Sequence, residues 1–240
     1  MKKLTNLTVL PQKTQKLLDN YLYLKIGNCL INCPYWMNDL PKNIKGPYSG
    51  KGTPKQIIHA IKLCAKKHGL DVINSTKTAL SVFMKNNRIG IDCSGLAYHL
   101  SDRLNIEKYG FSLAKKFFPD SKLPSWRNAW RCNAEFLTNI KNARPIKVAH
   151  AKPGDLIRLN RGKHIFFITV VSRSILTYVH SSSLTSQLDG VHLGKIKIID
   201  PNLGLDHQCW LEKTKEYKKY GHIYFDSSQG DGIYRFRWQI

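Results

Sequence analysis

One cysteine in this sequence lies where a thiol can act as a nucleophile. Cys93 follows Asp92 and precedes Ser94 and Gly95, and leucines recur at helical spacing from position 96. The spacing predicts that a helix begins at Cys93, and a helix N-terminus lowers the pKa of a thiol and presents N–H groups to an oxyanion. We therefore expect Cys93 to have a lowered pKa, unlike the other cysteines, and to react fastest with iodoacetamide near neutral pH.

Two histidines have positions that suit a general base and its orienting partner. His164 is the first residue of an apolar strand that follows a tight turn at residues 160–163, and His180 ends the next predicted strand. A nucleophilic thiol needs a base that removes its proton, and the base needs a third group that fixes its ring. The candidate catalytic residues are therefore Cys93, His164 and His180.

The loop between these two strands decides whether the histidines face each other. Side chains alternate between the two faces of a strand, so the register of the hairpin sets the face of His180. A three-residue loop, Ser172–Ser174, pairs Val171 with Ile175 and places His180 on the same face as His164. A loop of two or four residues would turn His180 away unless a β-bulge shifted the register back.

Four blocks of the sequence resemble a known family of enzymes. They are Ile91–Leu96, Lys152–Ile157, His164–Ile165 and Tyr178–Ser183, and they span about residues 90–185. The blocks are similar to those of the NlpC-type cell-wall cysteine peptidases, which are papain-like hydrolases of bacterial peptidoglycan peptides. The resemblance implies an α+β, papain-like fold in which N-terminal helices that carry the nucleophile pack on an antiparallel β-sheet.

The resemblance also implies roles for individual residues. By this resemblance Cys93 is the nucleophile and His164 is the general base and acid. His180 is the third residue, which orients His164. The family places a tyrosine from an upstream Pro-Tyr motif near the thiol, and Tyr35 and Tyr48 compete for this place. We expect Asp92 and Ser94 to support the site or to contact substrate. No metal and no cofactor is expected.

The remaining pattern divides the chain into a helical first part and a strand-rich second part. Residues 1–27 have the pattern of an amphipathic basic helix, residues 28–52 are rich in turn-forming residues, and helices are predicted at about 54–68 and 76–85. The predicted strands are 155–160, 164–171, 175–181, 195–200, 222–226 and 233–238. We therefore expect a basic N-terminal extension at 1–45 and a peptidase domain at 46–240, with a partly helical insertion at about 105–150.

The charge balance predicts an anionic partner. Lys and Arg total 38 against 16 Asp and Glu, and the formal net charge of +22 steers polyanions toward the surface. Anionic cell-wall polymer, nucleic acid and an acidic membrane surface all satisfy this charge. No run of residues has the length and apolarity of a membrane span. The first residues lack the apolar centre of a signal peptide, so we expect a cytoplasmic protein or one that reaches the cell wall by a non-standard route.

These observations favour a hydrolase that cleaves an amide bond in a peptidoglycan peptide through an acyl-enzyme at Cys93. We expect the protein to act as a monomer. Two alternatives stay open. One is a basic nucleic-acid-binding protein, and the other is a thiol acyltransferase or amidase of the same fold that acts on another amide. Six cysteines are too sparse for a disulfide scaffold, and no second pair of zinc ligands accompanies Cys29 and Cys33.

Overall fold

The computed structural model describes residues 7–186 and 189–239, which combine helices with antiparallel sheet. The α-helices are α1 (Gln12–Leu22), α2 (Pro54–His68), α3 (Lys77–Asn86), α4 (Cys93–Tyr109), α5 (Leu113–Phe117), α6 (Ser125–Asn128), α7 (Ala134–Leu137) and α8 (Tyr220–Tyr224). The strands are β1 (Thr8–Val9), β2 (Leu24–Ile26), β3 (Cys29–Ile31), β4 (Ala143–Ile146), β5 (Leu156–Leu159), β6 (His164–Val171), β7 (Ile175–Ser182), β8 (Gly190–Lys197), β9 (Cys209–Trp210) and β10 (Gly232–Phe236). The α+β class predicted from the sequence is confirmed.

The strand β6 lies in the middle of the main sheet. The strand order is β4-β10-β5-β6-β7-β8-β9, β1 also pairs with β6, and the pairings are antiparallel. The sheet curls into a half-barrel. Helix α4 packs on one face, against Ile165 and Phe167, and an aromatic cluster around Phe166 and Tyr178 covers the other face. The start of β6 therefore lies between two buried clusters.

Local capping signals determine where the main helices begin. Asp92 has an extended backbone and its side chain accepts a hydrogen bond from the Gly95 N–H, so α4 begins at Cys93 as predicted. Thr53 and Gln56 form a capping box at the start of α2. These contacts involve residues close in sequence, which is why the sequence alone predicts both helix starts.

The N-terminal segment differs from its prediction. The helix α1 ends at Leu22, and residues 24–31 form the hairpin β2–β3 around Gly27, so the predicted helix through residue 27 is wrong. Gly27 has a φ of 55°, and it lies in the turn because Ile26 pairs with Cys29 across it. Leu18 and Tyr21 of α1 join the buried cluster that α4 forms with the sheet. Residues 1–6 of the predicted helix lie outside the described residues.

Two predicted strands are placed wrongly. The run at residues 222–226 belongs mostly to the short helix α8, and the strand expected at 195–200 is β8, which begins at Gly190. A short apolar run lacks the periodicity that separates a strand from a buried helix. The first half of β8 contains glycine and histidine where β-branched residues would signal a strand. The prediction also misses β4 and β9.

The β6–β7 hairpin places both histidines on one face, but not through the predicted loop. Val171 pairs with Leu176 and not with Ile175, so the register predicted for the loop is wrong. A β-bulge at Thr169 adds one residue to β6 and restores the register. His164 and His180 therefore share a face, as predicted, and their ring centroids lie 5.2 Å apart.

Residues 105–150 are an ordered part of the fold. Helix α4 extends into this segment, the short helices α5, α6 and α7 follow, and β4 then pairs with β10. The Phe117 ring packs edge-on against the rings of Phe136, Phe236 and Trp238, at centroid distances of 5.2 to 5.6 Å. Among the described residues, no helix combines the length and the apolarity that crossing a membrane requires.

Candidate active site

The sulfur of Cys93 lies against the peptide bond between His164 and Ile165, at the end of the sheet. The N–H groups of Ile165 and Ser94 face the sulfur and favour its thiolate form. Cys93 is only 8% exposed, and burial, followed by the charge of Asp92, raises the pKa of the thiol to about 12. The predicted lowering of this pKa is wrong for the free protein, because the loss of hydration outweighs the nearby N–H groups.

A buried lysine holds the start of α4. Lys51 is 8% exposed, and its ammonium group donates to Asp92 Oδ1 at 2.9 Å, to Ser94 Oγ and to the Cys132 carbonyl at 3.3 Å. A Cβ at Gly95 would lie 2.9 Å from Lys51 Cδ, so glycine leaves the room that the lysine occupies. The structure thus places Asp92 and Ser94 in the helix cap, where they bind this ammonium group.

A chain of hydrogen bonds runs from a buried carboxylate to His164. Glu212 Oε1 accepts from the Nε2–H of His180 at 2.9 Å, which leaves the Nδ1 of that ring with its lone pair. This Nδ1 accepts from the Nε2–H of His164 at 3.0 Å. Because an ionised carboxylate can only accept, the chain fixes both tautomers. Nδ1 of His164 therefore keeps a lone pair that can take a proton.

Glu212 is held by a buried network of its own. Its Oε1 lies 2.7 Å from His192 Nε2, and its Oε2 accepts from the Tyr178 hydroxyl. Nδ1 of His192 lies 2.8 Å from the Gly190 carbonyl oxygen, so both ring nitrogens face oxygen acceptors. Burial alone would raise the pKa of Glu212, but the charge of His180 and hydrogen bonds from His180 and His192 outweigh burial and lower it well below its usual range.

One group of described residues has the composition of a metal site. His180, His192 and Glu212 offer ligand atoms that lie within 4.8 Å of one another. The two histidine nitrogens are 2.9 and 2.7 Å from Glu212 Oε1, whereas the ligand atoms of a tetrahedral zinc ion lie about 3.3 Å apart. The observed spacing is that of direct hydrogen bonds, so the group forms an orienting network for His164.

The surroundings of His164 favour its neutral form. Burial, followed by the charges of His180 and His192, lowers the pKa of His164 well below its usual range, and Glu212 opposes this only in part. The ring also packs near Tyr220, with 6.2 Å between centroids. At neutral pH the free protein therefore holds a neutral imidazole and a neutral thiol, rather than an imidazolium–thiolate pair.

Of the two tyrosines that compete for a place near the thiol, Tyr35 lies in that position. Its backbone pairs with Ile91, two residues before Cys93. Burial, followed by the charge of Cys93, raises the pKa of Tyr35, so its hydroxyl remains a hydrogen-bond donor. The Tyr48 ring instead packs edge-on to Trp126, with 6.2 Å between centroids.

Three members of this site are missing from the sequence prediction, namely Lys51, His192 and Glu212. Glu212 carries a weak signal, because it is an acid directly after the apolar pair Trp210 and Leu211 in a chain with few acids. Lys51 carries none, because it is one of 38 basic residues. His192 lies in a strand whose start the prediction misses.

A basic groove lies near the end of β6 that is opposite His164. Its volume is about 750 Å³, its lining residues include no Asp or Glu, and its basic residues are Arg144, Lys147, Lys152, Arg173 and Arg235. Asp155 neutralises Arg235 through a hydrogen-bonded ion pair at 2.7 Å, and the other four basic residues are exposed. The strand spans about 23 Å at ~3.3 Å per residue, so the groove is distant from the thiol.

Comparisons of the chain with protein-family models, with curated proteins and with solved structures find no significant match.

Proposed function

We propose that this protein is a cysteine hydrolase that cleaves amide bonds through an acyl-enzyme at Cys93. The observation that carries the proposal is the hydrogen-bond chain from Glu212 through His180 to His164, which leaves Nδ1 of His164 as a base. The thiol lies against the peptide bond that follows this histidine. A nucleophile, a base and an orienting group are the three parts that thiol-based acyl transfer requires.

The reaction begins with a neutral pair. Nδ1 of His164 takes the proton of the Cys93 thiol while the sulfur attacks the amide carbonyl carbon. The tetrahedral intermediate then collapses, the C–N bond breaks, and the imidazolium gives its proton to the leaving amine. Water attacks the resulting thioester with His164 again as base, which releases the carboxylic acid and restores the thiol. Glu212 and His180 stabilise the imidazolium in both steps.

Two donors near Cys93 are the proposed stabilisers of the oxyanion of the intermediate. The Ser94 N–H faces the sulfur from the first turn of α4, and the Tyr35 hydroxyl lies close enough for the Cys93 charge to raise its pKa. A preorganised N–H or O–H that meets the developing negative charge lowers the barrier of acyl transfer. Tyr35 is thus assigned as an oxyanion donor in this mechanism.

Peptidoglycan peptides are the proposed substrate, and the papain-like NlpC-type fold is the proposed fold. The support is the resemblance of the blocks around Cys93, Asp155, His164 and His180 to that family. The net charge of +22 and the basic groove support binding of an anionic cell-wall polymer at a distance from the thiol.

Digestion of purified peptidoglycan, with masses measured for the products, tests the proposal. Wild-type protein should release peptide fragments with one new carboxyl and one new amino end, and Cys93→Ala should release none. Cys132→Ala is the matched control, since that thiol is also buried, with a pKa raised to about 12, but has no imidazole chain. Equal activity of wild type and Cys93→Ala would refute the proposal. An acyl group moved to an added amine instead of water would indicate a transferase.

A further inference from the structure

A second pocket lies on the side of α4 that faces away from the sheet. Its volume is about 550 Å³, within the range of small-molecule sites. It is bounded by α1, by the start of α2 and by the segment that contains α6. The residues that matter for its chemistry are Lys13, Lys16, Lys55, His99, Arg103 and Trp126.

The charge of the pocket favours an anion. The cationic side chains of Lys13, Lys16, Lys55 and Arg103 are exposed around it. The acid in the lining, Asp102, is already engaged, because its two carboxylate oxygens accept hydrogen bonds from the Leu113 N–H at 2.7 Å and the Ser125 hydroxyl at 2.9 Å. Within residues 7–186 and 189–239 none of the four cationic side chains forms an ion pair, so they are available to a ligand.

The wall of the pocket includes a histidine whose second ring nitrogen is a free hydrogen-bond acceptor. His99 is 6% exposed, and its Nε2–H donates to the Lys51 carbonyl at 2.8 Å. Within residues 7–186 and 189–239, its Nδ1 has no hydrogen-bond partner, and it is not sealed from solvent. Burial lowers the pKa of His99 to about 4, so the ring is neutral and Nδ1 carries a lone pair. A ligand must offer this atom an O–H or N–H.

Trp126 gives the pocket an aromatic wall. The ring is partly exposed, and Arg127 lies 5.4 Å from its centroid. The C–H face of a sugar ring packs well on an indole. Sugar hydroxyls both donate and accept, so they suit one acceptor among several cationic donors, whereas a nucleobase needs a fixed set of paired donors and acceptors.

We propose that this pocket binds a carbohydrate that carries a carboxylate or phosphate group. The sugar ring packs on Trp126, a hydroxyl donates to His99 Nδ1, and the anionic group meets Arg103 and the lysines. The site is separate from the thiol, but His99 binds the carbonyl of Lys51, whose ammonium group holds the start of α4. The proposal does not depend on the proposed hydrolase activity.

Calorimetric titration of the intact protein with small sugars tests the proposal. Glucuronic acid and glucose 6-phosphate are the two acidic probes, and a comparison of their affinities distinguishes a carboxylate ligand from a phosphate ligand. At least one should bind with about tenfold or higher affinity than glucose and than inorganic phosphate, because a charged hydrogen bond and ring packing then act together. Equal affinity for inorganic phosphate, tighter binding of adenosine monophosphate, or no binding of either acidic sugar would overturn the proposal.

Surface variants locate the binding. Arg103→Ala and Trp126→Ala should each weaken the binding of the acidic sugar about tenfold or more. Arg173→Ala removes the same charge in the basic groove, which shares no lining residue with this pocket, and should leave the affinity unchanged. Circular dichroism confirms that each variant is folded. Equal weakening by Arg103→Ala and Arg173→Ala would show a general charge effect and would overturn the proposal.

Discussion

His180 accepts a hydrogen bond from His164 at 3.0 Å on one ring nitrogen and donates to Glu212 at 2.9 Å on the other. The carboxylate thereby determines which nitrogen of His164 carries a proton, although it does not touch that ring. The consequence is a directional chain in which the free lone pair lies at Nδ1 of His164, the end of the chain away from the carboxylate. A histidine between two such partners is orienting only if the carboxylate stays ionised, and the contacts of Glu212 with His180, His192 and Tyr178 favour the ionised form.

The first prediction concerns Glu212. In Glu212→Gln the amide oxygen still accepts from His180, but the charge that stabilises the imidazolium of His164 is lost. We expect kcat to fall about 10- to 100-fold with little change in KM, measured by turnover of a soluble peptide. Glu216→Gln is the control, because it removes the same charge from an exposed position. Unchanged kcat in Glu212→Gln would refute the role of the chain.

The second prediction compares the histidines. His180→Ala should lower kcat less than His164→Ala or Cys93→Ala, because water can partly replace an orienting group but cannot replace a nucleophile. Steady-state kinetics of the three variants on one peptide measure the order. A His180→Ala protein with full turnover would mean that this histidine only ends the strand.

The third prediction concerns the reactivity of the thiols. The pKa of Cys93 is raised to about 12, whereas Cys29, Cys64 and Cys209 are more exposed. We expect iodoacetamide to label these three before Cys93 at pH 7, and the labelling rate of Cys93 to keep rising beyond pH 9 because only the thiolate reacts. Mass mapping of labelled peptides over time measures the order. Fastest labelling of Cys93 at pH 7 would contradict the raised pKa.

The fourth prediction concerns the buried lysine. Lys51→Met removes the ammonium group but keeps a similar volume, which leaves the Asp92 carboxylate buried without its cation. We expect the free energy of unfolding to fall by about 3–5 kcal/mol, measured by urea denaturation. Lys55→Met is the matched control on an exposed position and should change it by less than about 0.5 kcal/mol. Similar small effects of both changes would show that the ion pair is not needed.

The fifth prediction concerns stability against pH. Burial lowers the pKa of His99, His164 and His180, so below about pH 6.5 the unfolded chain takes up protons that the folded protein does not. Stability should therefore fall as the pH drops below about 6.5, by up to about 1.4 kcal/mol per pH unit for each histidine. Urea denaturation at pH 7.5 and 5.5 measures the change. His99→Gln should reduce the slope, and His207→Gln, an exposed control, should not.

The sequence determines the elements whose signals are local. The cap at Asp92 and the capping box at Thr53 set the starts of α4 and α2, because each involves residues within one helical turn. Runs of β-branched and aromatic residues identify β6 and β7, and with them the positions of His164 and His180. The same signals place Cys93 at a helix start, so the three proposed catalytic residues can be found without a structure.

Only the tertiary structure decides how these residues are protonated and supported. Lys51 and Glu212 come from positions 41 residues before Asp92 and 32 residues after His180, respectively, and no local pattern links such distant positions. The helix start alone predicts a lowered thiol pKa, but the packing around Cys93 removes its hydration and reverses the direction. The bulge at Thr169 likewise arises from pairing between whole strands. Burial and long-range pairing depend on the complete fold, and for this reason the sequence predicts the reacting groups but not their electrostatics.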